Sequence, residues 1–168
     1  MTDEEYQYLW RRRNEIKVRT LTNRLYQQER QRIFELREGA VKAASIFAST
    51  VAFANLTHPE IIKWCAAVVS VGSIAALVFG FGNKARDSAK RSTEWTHLER
   101  DIDAAGQRDF TEAQLSQWES QANEIEAGEP APHPGLLECC YQRACTSLGA
   151  TPSGKAPWHY RLPPILIP

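Results

Sequence analysis

The residues best suited to metal or nucleophilic chemistry are four cysteines, at 65, 139, 140 and 145, and four histidines, at 58, 97, 133 and 159. A structural zinc site asks for pairs of Cys or His at short, repeated spacings, so that four donors converge on one ion. Cys139, Cys140 and Cys145 with His133 lack that pairing, and the three thiols sit among apolar neighbours at helical spacing. A Cys/His nucleophile pair needs a base held beside the thiol, and nothing in the spacing supplies one. The nine glycines never gather into a phosphate-cradling loop next to a strand pattern. The reading is therefore of no enzyme: no catalytic residue, no cofactor, no metal ligand. The cysteines are expected to be reduced thiols, in a core or at a surface.

What must be positioned is instead an apolar block. Residues 39–83 hold two apolar runs, 40–56 and 61–82, separated by Thr57-His58-Pro59-Glu60. The second run carries one charge, Lys63, and at 1.5 Å per residue spans roughly 33 Å, enough for a hydrocarbon core of about 30 Å. The first spans roughly 26 Å, with Lys42 near its inner end. Neither run has a polar stripe at helical spacing, so neither helix has a face for water. The bland alternative is a buried hairpin inside a soluble bundle, but the rest of the chain is too hydrophilic to wrap both runs. The expected fold is an all-α membrane protein: a two-transmembrane helical hairpin with a long N-terminal helix and C-terminal helices on the cytoplasmic side.

Charge sets the expected orientation. Twenty acids balance twenty Lys and Arg, so net charge names no partner. Residues 1–38 hold nine Lys or Arg against seven acids, and Lys84, Arg86, Lys90, Arg91 and Arg100 follow the second run, whereas the turn between the runs holds none. Positively charged flanks stay inside, which places both termini in the cytoplasm and a tight turn near Pro59 outside. The acidic start, Met-Thr-Asp-Glu-Glu, is not that of a secretory signal.

Residues 1–38 read as one amphipathic basic helix, with Tyr6, Leu9, Trp10, Ile16, Leu21, Leu25, Ile33 and Leu36 as its apolar stripe. Arg11, Arg12, Arg13, Arg19, Arg24 and Arg30 form a basic surface. The interleaved glutamates favour contact with anionic headgroups or a partner helix over direct nucleic-acid binding. Ala44, Ala48 and Ala52 recur at four-residue spacing in the first run, and Gly72, Ala76 and Gly80 in the second. Small residues let helix backbones approach in lipid, so these stripes either zip the hairpin to itself or face a neighbouring protomer. Residues 84–149 read as a cytoplasmic helical region. The second run is expected to continue as a stalk to Gly106, with Ala85, Ser88, Ser92, Trp95, Leu98 and Ile102 as its seam. Thr111 and Gln114 predict a capping box, Phe110 and Leu115 a hydrophobic staple, and Gly128 the stop of the next helix. A last helix over about 136–148 would bury Leu137, Cys140, Tyr141, Ala144 and Leu148. Seven acids and no Lys or Arg between 109 and 138 make this region a candidate partner for the basic helix. Residues 150–168, with five prolines, read as a disordered tail.

An arginine-rich helix with an aromatic start (Tyr8-Leu9-Trp10, then Arg19, Arg24 and Arg30) feeds directly into the two-helix hairpin. A Glu129-Pro130 step precedes the final amphipathic helix. Over roughly residues 6–149 this resembles the SLATT superfamily, small bacterial two-transmembrane proteins. The resemblance implies an effector of antiviral conflict systems at the bacterial inner membrane, forming a pore or disrupting the bilayer once a partner signals infection. It implies as partners the lipid bilayer, further copies of the chain as a homo-oligomer, and a nucleotide-synthesising, nucleotide-sensing or reverse-transcriptase protein. Oligomer contacts would lie at Ala44, Ala48, Ala52, Gly72, Ala76 and Gly80, and the matching arginines would act in assembly or partner contact. A membrane-anchored adaptor without pore activity is the rival expectation. A holin-like protein is a weaker third, given how much of the chain is cytoplasmic helix.

Overall fold

The computed structural model describes residues 3–54, 59–106 and 110–152, and all regular structure among them is helical. Five helices follow in order: α1 Asp3–Ala54, α2 Pro59–Phe79, α3 Phe81–Ala104, α4 Glu112–Ala127 and α5 Pro134–Ser147. The expected turn at Thr57 and His58, the end of the first apolar run at Asn55 and Leu56, His159 and tail residues 153–168 lie outside the described residues. The chain divides into two compact units, one of Met1–Glu29 with Ser88–Pro168, the other of Arg30–Asp87.

α1 does not stop at Gly39 but runs on to Ala54. Asp3, Glu4 and Glu5 in its first turn complement the helix dipole. Between α2 and α3 the expected unbroken stalk is interrupted at one residue. Gly80 has φ +55, a left-handed conformation that costs a side-chain-bearing residue about 1–2 kcal/mol. The ladder almost closes over it: the Gly80 N–H donates to the Ala76 carbonyl at 3.1 Å, and the Lys84 N–H to the Gly80 carbonyl at 3.0 Å.

In the Arg30–Asp87 unit, α1 and α2 run antiparallel. A Cβ at Gly72 would lie 3.2 Å from the Ser45 hydroxyl and 3.6 Å from Val41; one at Gly82 would meet the Glu38 carboxylate. Lys84 stands 5.9 Å over the Phe34 ring, extending the same antiparallel register. Ala48 and Cys65 are buried in this unit. Most of its large apolar side chains are not: Ile46, Phe47, Phe53, Trp64, Val71, Ile74, Leu77 and Val78 all face outward, each more than 60% exposed.

The other unit is a small helical bundle. Its core gathers Ile16 of α1, Trp95, Leu98 and Ile102 of α3, Phe110, and Leu115, Trp118 and Ala122 of α4. The part of the predicted α3 seam that lies in this unit, Ser88, Ser92, Trp95, Leu98 and Ile102, is buried, and Trp95 and Ile102 are fully enclosed. The indole N–H of Trp95 donates to Glu129 at 2.8 Å, so the Glu-Pro step after α4 satisfies a buried donor. α4 begins as its sequence predicts. The Gln114 N–H donates to the Thr111 hydroxyl, the Thr111 N–H to the Gln114 side chain at 2.8 Å, and Phe110 and Leu115 are both buried. Gly128 caps the helix with φ −84, so it ends α4 without the left-handed turn its glycine allows.

α5 corrects its expected face. It starts two residues early, with Pro134 in its first turn, and buries Leu136, Cys140, Ala144 and Cys145. Leu148 is 37% exposed as the C-cap. Positions 136, 140 and 144 form one four-residue row and 137, 141 and 145 the next; the sequence reading merged two adjacent rows. In α1, Trp10 and Leu36 of the predicted stripe are exposed, whereas Arg13, Thr20, Thr22, Tyr26 and Gln27 are buried. Replacing Thr111 with Ala removes the α4 cap, and a thermal melt should register a loss of about 1 kcal/mol.

Candidate functional site

In the bundle, the basic face of α1 meets the acids of α4 in seven-residue register. Arg12 forms an ion pair with Glu119 and reaches Glu112 at 4.0 Å; Arg19, one heptad on, forks onto Glu126. Matching steps of seven in both helices make α1 and α4 parallel neighbours. Arg19 Nε donates to Glu126 at 2.7 Å, Arg19 Nη2 to Asn123 at 2.8 Å, and Asn23 to Glu126 at 2.8 Å. On the α3 side, Lys17 pairs with Asp103 at 2.5 Å and Arg24 with Glu99 at 2.9 Å. Arg13 is buried, donating to the Ile102 carbonyl at 3.1 Å with its guanidinium 5.6 Å over the Phe110 ring. Arg143 of α5 pairs with Glu29, and the His133 N–H donates to the Tyr26 hydroxyl at 2.8 Å.

The six arginines singled out by the sequence thus separate. Arg12, Arg13, Arg19 and Arg24 are engaged inside the bundle, and Arg11 is exposed on a cleft. Arg30 belongs to the other unit, 5.6 Å over the Phe34 ring. The hydrogen bond from Arg19, with a smaller contribution from Asn23, holds the Glu126 carboxyl below its ordinary value, against the effect of burial. The same bond raises the Arg19 guanidinium. Cys140 is pushed up to about 12, chiefly by burial, which keeps the thiol protonated. Among the described residues no three His, Cys, Asp or Glu side chains are placed to hold a metal ion.

The cleft, of about 830 Å³, lies between α1, α4 and α5. Trp10, Val18, Leu137 and Tyr141 supply its apolar walls, with Arg11 and Glu138 among its polar lining. That is the volume of a small-molecule site. Leu137 and Tyr141, expected in the core, are thereby accounted for as lining.

In the Arg30–Asp87 unit the six small residues also separate. Ala48 is buried, Ala52 half-buried, and Gly72 packs on Ser45. Ala44 and Ala76 are exposed, and Gly80 is the left-handed break. Hydroxyls along the pair bond to their own helices: Ser49 to the Ser45 carbonyl, Thr50 to Ile46, Ser73 to Val69. Lys42 pairs with Glu38 at 2.6 Å and Lys63 with Glu60 at 2.8 Å, each within its own helix.

Among the described residues one helical stretch, α2 and α3 taken together over Pro59–Ala104, is long and apolar enough to cross a membrane, and most of the large apolar side chains of α2 are exposed. The first run does not reach that length. Any 18-residue stretch of α1 ending at Ala54 includes Arg37, Glu38 and Lys42. No family profile, no curated protein and no solved structure matches the chain.

Glu126 contributes stability that is complete above the ordinary carboxylate pKa of 4.5 and disappears as pH falls through its lowered native value. Glu126→Gln should therefore cost about 0.5–1 kcal/mol at neutral pH and flatten the acid side of the Tm–pH curve. Gly72→Leu should destabilise the helix pair by about 1–3 kcal/mol in detergent melts, and Ala76→Leu, at an exposed position, should be near neutral.

Proposed function

We propose that the protein is a bacterial inner-membrane effector whose α1–α2 pair crosses the bilayer twice as a hairpin, with both termini cytoplasmic. The observation that carries this reading is the apolar stretch built on α2, long enough to span and, apart from Cys65 in the seam with α1, with most of its large apolar side chains exposed. A core helix of a soluble protein would hide that surface; this one presents Val71, Ile74, Leu77 and Val78 outward. Eleven large apolar side chains of α1 and α2, from Ile46 to Phe79, are exposed. Leaving them in water would forgo on the order of 10 kcal/mol, comparable to the whole stability of a domain. The second crossing rests on the antiparallel partner, whose Lys42 lies near the run's end and whose exposed Ile46, Phe47 and Phe53 match the surface of α2. The similarity to SLATT proteins supplies the activity. A cytoplasmic signal from a nucleotide-linked or reverse-transcriptase partner would change the helical bundle, and oligomerised hairpins would then open a pore or breach the bilayer.

One observation favours a membrane-anchored adaptor as the second reading. Ser49, Thr50 and Ser73 spend their hydroxyls on their own helices, and each lysine of the apolar runs pairs with a neighbouring acid, so the hairpin offers little to line water. Alkaline carbonate extraction of membranes, followed by membrane-potential recording with and without candidate partners, separates the readings. The effector retains the protein in the membrane and collapses the potential when triggered. Retention with steady potential under every trigger establishes the adaptor. Release by carbonate removes both.

A further inference from the structure

Among the described residues, six buried polar atoms of the bundle make no hydrogen bond, five of them on α1 and one on α3. They are Arg13 Nε, Thr20 Oγ1, Arg24 Nε, both amide atoms of Gln27, and Glu99 Oε2. Positions 13, 20, 24 and 27 share one face of α1, at helical steps of seven, four and three. Thr20 and Gln27 are fully enclosed. Arg24 Nη1 stands 2.9 Å from Glu99 Oε2, close enough for an ion pair, yet without the angle of a hydrogen bond. Arg24 and Glu99 offset part of their lost hydration through that ion pair, whereas Thr20 and Gln27 give up their bonds to water on packing without a hydrogen bond in return.

The apolar core is distributed in the opposite way. Of the eight buried members of its central cluster, seven belong to α3, to α4 or to Phe110 beside α4; α1 contributes Ile16, with Leu9 packed against the cluster, and buries Leu21 and Tyr26 outside it. Around that small apolar contribution α1 is ringed by ion pairs, Arg12–Glu119, Lys17–Asp103, Arg19–Glu126, Arg24–Glu99 and Glu29–Arg143. Most of these pairs are partly open to solvent, with Glu119 at 40% and Asp103 at 48% side-chain exposure. Exposed pairs weaken with salt, because the Debye length falls from about 10 Å at 0.1 M to about 3 Å at 1 M.

We infer that the first part of α1, residues 3–29, is a releasable strap: its ion pairs latch it onto an α3–α4 core, and its buried polar face, Thr20 and Gln27 above all, biases it toward opening. The released state hydrates the atoms that the closed state leaves unbonded, while the Trp95–Leu115–Trp118 core stays packed. This supplies a two-state element for a cytoplasmic bundle, and because it rests on the bundle alone it stands whether or not α2 crosses a membrane.

Amide hydrogen exchange on the full chain, purified in mild detergent and followed at low and high salt, tests the strap. Exchange over residues 3–29 should accelerate severalfold with salt while residues 115–122 remain protected. Thr20→Val and Gln27→Leu remove unbonded groups at nearly constant volume, so either should slow opening of residues 3–29 by about tenfold. The inference is overturned if residues 3–29 and 115–122 accelerate together, as in one cooperative unit, or if neither substitution slows exchange of α1. Loss of membrane activity would leave these readouts unchanged, so failure here is distinct from failure of the effector reading.

Discussion

An α-helix that is apolar around its whole circumference must find an apolar environment, and most other features of this chain adjust to that constraint. α2 can bury only one stripe against α1, because a helix pair shares a single seam. The seam takes Cys65 and Gly72 from α2 and Ser45 and Ala48 from α1, leaving Trp64, Leu77 and Val78 outside. Gly72 allows the close approach, since any larger side chain would meet Ser45 and Val41. Hydroxyls and lysines near the pair are neutralised locally, within one turn of their own helices, so they impose no demand on the surroundings.

The helical bundle solves a different problem with a different interaction. Its α3 and α4 are joined by large apolar side chains, a non-directional attraction that grows with buried area. Its α1 is joined by directed pairs whose register depends on matched seven-residue steps, 12 and 19 on one helix against 119 and 126 on the other. Such pairs determine which helix lies where and in which direction, yet individually contribute only about 0.2–1 kcal/mol. α1 is one continuous helix from Asp3 to Ala54.

The sequence by itself determined the local grammar. Helical period, the capping box of Thr111 and Gln114, the Phe110–Leu115 staple and the α3 seam from Ala85 to Ile102 are all set by residues within a few positions of one another, and all appear as read. It also identified the opposition of a basic α1 and an acidic α4, because charge is visible without a fold. Only the tertiary structure decided which neighbours those residues meet. Arg13 looks like surface, but α3 presents the Ile102 carbonyl and Phe110 a ring face, so it is buried. Leu137 and Tyr141 look like core, but α5 turns its adjacent row inward, so they line a cleft. Thr20 and Gln27 give no sequence signal, since a polar residue declares its burial only when another helix closes over it. The physical reason is range: propensity, caps and period act within a helix turn, whereas burial of a particular face depends on partners a hundred residues away.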